Sequence, residues 1–256
     1  MKRCPECSAS RPYKLSDGRL KCRACGKRFS WTSVWDSVRL SSRSKTGLLE
    51  LFVFGVPVYR QRFDTSVSDK SRERFYRLIR ACMAQQEQLR EPFTGALECD
   101  ETTFGEAQHD KRGWGAAGKV MVFGIVKRNG QVKATPIARH NQAAIMEQIQ
   151  AHTREGSLYY TDAWQAYATL RLRGGHVVVR KEKGKPVGRD HINGIEGFWS
   201  YAKNWLYPYR GVPSKFYLAE TCYRFNHRDE DLKPLLRKLL QATPTFEIQP
   251  ILVRSG

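Results

Sequence analysis

Asp100, Asp162, Glu196 and Lys203 are the residues whose types and spacing could do chemistry at the far end of this chain, in the stretches Leu-Glu-Cys-Asp-Glu-Thr, Tyr-Tyr-Thr-Asp-Ala-Trp and Ile-Glu-Gly-Phe-Trp-Ser-Tyr-Ala-Lys. If the last stretch is helical, seven steps of about 100° fall roughly 20° short of two turns. Glu196 and Lys203 then share an edge, with Trp199 between them, and can face one phosphate backbone. Near the start, Cys4, Cys7, Cys22 and Cys25 make two CxxC pairs. Four thiolates at that spacing suit one tetrahedral zinc ion, and the segment between them reads as a hairpin turning at Asp17-Gly18. A pair of disulfides or a redox dithiol is the competing reading, and it fits poorly with the reducing compartment inferred below. Cys82, Cys99 and Cys222 stand singly in apolar surroundings and read as core packing.

The formal net charge is +19 over 256 residues, with 41% hydrophobic residues. Such an excess attracts polyanions, more weakly as salt rises. Membranes and acidic proteins also attract positive charge, but the basic residues are spread along the chain and form no strongly basic amphipathic helix. Nucleic acid is therefore the first partner class. No apolar run of about 18 residues exists, and the start Met-Lys-Arg-Cys-Pro-Glu-Cys lacks a secretory segment. A cytoplasmic, nucleoid-associated protein with no membrane partner is expected.

The elements that must position these groups fall into four stretches. Residues 1–32 read as a zinc ribbon. Residues 33–92 read as a helix-turn-helix-like module, entered through a Ser-, Arg- and Lys-rich connector at 33–46. In it an apolar helix stops near Gly55, a short one opens at Pro57-Val58, and a third is capped by Ser68. On the third helix Phe75, Leu78, Ile79 and Cys82 form an apolar stripe, while Lys70, Arg74, Arg77 and Arg80 line another face that could enter a DNA groove. A solvated basic face is the bland alternative. Residues 93–228 follow with strands at 95–104, 120–127 and 132–138, a type I′ turn at Asn129-Gly130, a helix at 142–152 and a strand at 157–161. A helix at 163–170, a strand at 176–179, a polar loop at 181–190 and the Glu196 helix complete the order. Further helices at 215–227 and 229–241 lead into the tail at 229–256, the last packing on its own domain or on a second copy.

Three strands, helix, strand, helix, strand, helix is the order of an α/β, RNase H-like fold with a mixed five-stranded sheet flanked by helices. In that sheet the first and fourth strands are neighbours, so Asp100 and Asp162 meet at one edge under the helix that carries Glu196. Three clustered carboxylates repel unless divalent cations divide them, and oxygen ligands suit Mg²⁺ or Mn²⁺. Asp162 could instead merely cap the helix after it.

Jointly, Asp-Glu-Thr at 100–102, Thr-Asp-Ala-Trp-Gln-Ala-Tyr at 161–167, His-Ile-Asn-Gly-Ile-Glu-Gly-Phe-Trp-Ser at 191–200 with Lys203, and Tyr-Arg-Gly before Tyr-Leu-Ala-Glu-Thr-Cys-Tyr-Arg-Phe-Asn-His-Arg resemble DDE transposases of small bacterial insertion sequences. The similar group begins with a zinc ribbon and has an ISXO-type, RNase H-like catalytic domain. The resemblance implies a DNA transposase that binds its element's ends and cleaves and joins DNA by two-metal phosphoryl transfer. Asp100, Asp162 and Glu196 would hold two Mg²⁺ or Mn²⁺ ions, with no covalent protein-DNA intermediate. It assigns zinc to Cys4, Cys7, Cys22 and Cys25, and double-stranded DNA contacts to His191 and Asn193 beside Lys203. It also selects Asp100 over Glu101, whose side chain must leave the opposite face of the strand. Joining two ends implies a homodimer or larger assembly on DNA. An RNase H-like nuclease or resolvase, and a non-catalytic zinc-dependent DNA-binding regulator, are the alternative functions.

Overall fold

The computed structural model describes residues 2–105, 119–128, 130–179, 190–209 and 215–253. In chain order the elements are β1 (Tyr13–Lys14), β2 (Leu20–Lys21), β3 (Arg28–Phe29), α1 (Val34–Ser37), α2 (Ser42–Val53) and α3 (Asp69–Gln88). Then come β4 (Ala96–Phe104), β5 (Val120–Lys127), β6 (Val132–Pro136), α4 (Gln142–His152), β7 (Leu158–Thr161), β8 (Gly175–Val178), α5 (Asn193–Leu206) and α6 (Lys215–Asn226). Helices α7 (Leu232–Ala242) and α8 (Thr245–Val253) close the chain. No described helix is long and apolar enough to cross a membrane. The chain divides into two compact units, residues 1–86 with 229–256, and residues 87–228.

In the first unit β1, β2 and β3 form an antiparallel sheet, and the β1–β2 hairpin turns where expected, with Asp17 accepting from the Arg19 N–H and Gly18 at φ 83°. Gly18 is needed there because positive φ is costly for a residue with a Cβ. The connector predicted at 33–46 is instead helical. Ser33 and Ser41 each accept a backbone N–H, from Asp36 and Ser44, so both serines cap helices. Pro57 precedes a 3₁₀ turn at Val58–Gln61, and α3 begins after Ser68 as expected. The C-terminal segment belongs to this unit. Thr243 O accepts from Val34 N–H, Thr245 N–H donates to Thr32 O, and Lys233 pairs with Glu50 at 2.9 Å. The last helix expected from the sequence thus packs on its own chain, and α8 is an element that the sequence reading did not contain.

The second unit holds a mixed five-stranded sheet in the order β6-β5-β4-β7-β8. β4 and β5 are antiparallel, as are β5 and β6, while β4–β7 and β7–β8 are parallel. One face packs Val122, Val126 and Tyr160 against Ile195, Phe198, Trp199, Ala202 and Leu206 of α5 and Leu218 of α6. The other packs Leu97, Cys99, Phe123 and Ile125 against Ile145 and Ile149 of α4. Each fully buried Val, Leu, Ile or Phe among them contributes about 1.5–3 kcal/mol on leaving water. The strand period of two therefore sorts β4 into Glu98 and Asp100 on the α5 face and Cys99 and Glu101 on the α4 face.

One local expectation is corrected. The stretch 163–170 is not an α-helix but two 3₁₀ turns, Gln165–Tyr167 and Leu170–Leu172. Tyr167 and Leu170 are both buried, and three residues per turn aligns them on one side. In the β5–β6 hairpin Lys127 N–H donates to Gln131 O and Gly130 N–H donates to Lys127 O. Asn129, with it the turn expected at Asn129-Gly130, and residues 181–189 of the loop predicted at 181–190 lie outside the described residues, as does Arg210-Gly211. Cys82, Cys99 and Cys222 are buried as expected, and burial raises all three thiols, Cys82 and Cys222 to about 12.

Candidate active site

Parallel pairing of β4 with β7 matches Leu97 to Tyr159 and Glu98 to Tyr160. Asp162 directly follows Thr161, the last residue of β7, and Asp100 lies two residues beyond Glu98 on β4. Asp100 accepts a hydrogen bond from Trp199 Nε1 of α5 at 3.0 Å, so its carboxylate lies on the face that α5 covers. That contact needs space opposite Asp100 on β5, where Gly124 sits. A Cβ at Gly124 would come within 2.5 Å of the Trp199 ring and 2.8 Å of Ile195, so only glycine lets α5 lie this close. Glu196 is in the first turn of α5 and Lys203, exposed, in its last.

Asp162 Oδ1 accepts the Trp164 N–H at 3.0 Å, a local turn bond rather than a helix cap. The Trp164 ring stacks on His140 at 3.8 Å and 13°, and burial holds His140 below its ordinary pKa. Glu101 points away from α5 and accepts from Tyr167 Oη at 2.6 Å. Burial, with the charges of Asp100 and Asp162 added, pushes Glu101 up to about 8 against the opposing Tyr167 hydrogen bond. The two adjacent acids thus occupy opposite faces of the strand.

Residues 92–226, from just before β4 to the end of α6, match the ISXO2-like transposase domain. The chain belongs to this transposase family. It is also 29% identical over 91 residues to an uncharacterised transposase-like protein of Haemophilus influenzae, covering 34% of this chain and 74% of that one. Among solved structures it resembles a chain of the simian T-cell lymphotropic virus intasome bound to the PP2A regulatory subunit B56 gamma. There the identity is 14% and the TM-score 0.36, over 70% of this chain and 68% of the other.

In this family member the sulfurs of Cys4, Cys7, Cys22 and Cys25 all lie within 4.8 Å of one another. Cys4–Cys25 and Cys7–Cys22 are 3.6 and 3.5 Å apart, close to the edge of about 3.8 Å that 2.3 Å zinc–sulfur bonds give a tetrahedron. Backbone N–H groups of Glu6 and Ala24 point at Cys4 and Cys22, and N–H donors, led by Cys25, lower the Cys22 thiol to about 6. The group can hold one structural zinc ion. Among the described residues, Asp100, Asp162 and Glu196 are not gathered to that 4.8 Å spacing.

The predicted DNA-facing set on α3 is divided by the structure. Lys70, Arg74 and Arg77 are exposed, and Arg77 donates to Leu252 O. Arg80 is a correction: it is 4% exposed and lies over the rings of Phe52 and Tyr76. Arg80 follows Tyr76 by four positions and so turns with it into the apolar side, where the guanidinium plane stacks on aromatic faces. His191 and Asn193 stand at the start of α5, His191 half-buried and Asn193 exposed.

Sequence reasoning missed Glu98, Arg128 and Gly124. Arg128 donates to Glu98 at 3.0 Å, and Glu98 accepts from Ile195 N–H at 3.0 Å. The available signals were an isolated glycine inside a strand pattern and a second acid two positions before Asp100, on the same face.

Proposed function

We propose that this transposase-family chain binds the ends of its own insertion sequence and cuts and joins DNA with Asp100, Asp162 and Glu196. The parallel β4–β7 pairing carries the reading, because it makes the strand that holds Asp100 the neighbour of the strand that leads into Asp162, while α5, which bears Glu196, packs on the Asp100 face. The strand order, with the first strand central and the second antiparallel to it, supports an RNase H-like catalytic unit at 93–228. The zinc ribbon at 1–32, the helical module at 33–92 and the segment 229–256 complete the proposed organisation.

Oxygen donors of this kind fit two Mg²⁺ or Mn²⁺ ions. When bound, such ions supply an activated nucleophile and neutralise charge on the departing 3′-oxygen of an in-line displacement. The chain's own residues hold and aim the reactants. Trp199 fixes one Asp100 oxygen, Lys203 offers a cation two turns below Glu196, and His191 and Asn193 line the entrance to α5. Lys70, Arg74 and Arg77 supply exposed charge for DNA phosphates, with zinc at the four cysteines supporting the ribbon. The protein would act on the nucleoid in the cytoplasm, as at least a dimer on DNA, since two ends must be joined.

End-labelled element DNA incubated with the purified protein and Mg²⁺ is expected to give nicked ends and then joined products. Cutting without joining would favour a nuclease or resolvase, and binding with neither a regulator. Full activity in Asp162→Ala would remove the triad assignment.

A further inference from the structure

We propose that Glu98 is a positioning residue that sets the first turn of α5, and with it Glu196, relative to Asp100. This rests on the reading of Glu196 as a metal ligand, and it concerns a residue that touches neither DNA nor ion.

A helix leaves its first N–H groups without intrahelical acceptors, and a Ser, Thr, Asp or Asn at the N-cap normally supplies one. At the N-cap of α5 stands Ile192, which has no such side chain. Glu98 Oε2, from the middle of the sheet, accepts the Ile195 N–H at 3.0 Å instead. A carboxylate there also faces the positive end of the helix dipole.

The other oxygen is equally engaged. Glu98 Oε1 accepts from Arg128 Nε at 3.0 Å and lies 3.7 Å from His191 Nδ1. Arg128 in turn donates to His191 O at 2.6 Å and lies 3.5 Å from the centre of the Tyr160 ring on β7. One ion pair thus joins β4, the β5–β6 connection, β7 and the chain entering α5. Glu98 is 1% exposed, and a charge so buried is tolerated only when paired and hydrogen-bonded. With both oxygens committed, it is not a spare metal ligand despite sharing a face with Asp100.

Gly194 supplies the fit. A Cβ at that position would stand 2.8 Å from Glu98 Oε2, so a side chain there would push the carboxylate off the Ile195 N–H. Because Glu196 follows Ile195 directly, any shift of this peptide moves its Cα almost equally.

The test uses the full-length protein with Mn²⁺ as the probe, titrated by electron paramagnetic resonance, alongside amide hydrogen exchange at Ile195. Glu98→Ala is expected to weaken Mn²⁺ binding by about 10- to 100-fold, the usual cost of losing an outer support of a metal site, and to speed Ile195 exchange. Glu98→Gln, which keeps an oxygen for the Ile195 N–H but faces Arg128 Nε with an NH2 donor, should recover part of the loss. Wild-type Mn²⁺ affinity in a folded Glu98→Ala, beside a Glu196→Ala that has lost it, overturns this inference and leaves the proposed function standing. Unchanged affinity in Glu196→Ala overturns the proposed ligand set and this inference with it. If Glu98→Ala does not fold, Gly194→Ala gives the same readout: a loss supports the proposal and wild-type affinity overturns it.

Discussion

The four cysteine sulfurs all lie within 4.8 Å of one another, whereas the oxygens of Asp100 and Asp162 are engaged by separate donors, Trp199 Nε1 and the Trp164 N–H. The cysteine group is built from two turns, one before β1 and one between β2 and β3, whose backbone N–H groups point at sulfur. The carboxylates come from β4, the end of β7 and the first turn of α5. Like charges brought together by three elements repel unless cations or N–H donors divide them, and Asp100 and Asp162 each accept from such a donor. A ligand set written in local sequence needs only its hairpin to form. One assembled across a sheet needs the register, the covering helix and every residue that lets that helix approach.

The change that should break the cysteine side of this comparison most severely is Cys22→Ser. Structural zinc contributes on the order of 10 kcal/mol to such small modules. Zinc content measured by atomic absorption should fall below one ion per chain and the ribbon should lose its fold. Mn²⁺ binding at the carboxylates should persist, and its loss would mean that the two sets are not independent.

The carboxylate side can be sharpened through Glu101. Its pKa lies at about 8 against an ordinary 4.5, so between those values the folded state holds a proton that the unfolded state has released. Stability should then fall as pH rises through that window, by up to about 1.4 kcal/mol per pH unit from this group, and level off above it. Glu101→Gln should remove the slope and be more stable than the parent at pH 8 in urea unfolding with chelator present. An unchanged slope would mean that Glu101 is ionised in the folded protein.

Gly124→Ala adds one methyl against Trp199 and Ile195. Overpacking of that kind costs about 1–3 kcal/mol, read as a lower denaturation midpoint, and lifting α5 should reduce DNA joining by more than the stability loss explains. Arg74→Ala should have the smallest effect. It should leave zinc content and Mn²⁺ affinity as in the parent, and reduce the salt dependence of DNA binding by about one unit of slope. A lost Mn²⁺ site would place Arg74 in the catalytic machinery instead of on the DNA-facing surface.

Much of this was legible in the chain itself. The CxxC spacing determined the zinc-type ligand set, because its chemistry lies within the first 25 residues. Apolar runs and their order determined five strands, and the two-residue strand period separated Asp100 from Glu101. Tertiary structure alone decided what depended on distant partners. Arg80 shares α3 with exposed cations, yet it turns onto Phe52 and Tyr76 because aromatic faces wait on that side. The stretch 163–170 has a helical composition, yet burial of Tyr167 and Leu170 holds it in 3₁₀ turns. Glu98 reads as one more strand acid until Arg128 and the open end of α5 meet it, and nothing in local sequence records that meeting. Periodicity reports which face a residue takes, and only packing decides what stands opposite.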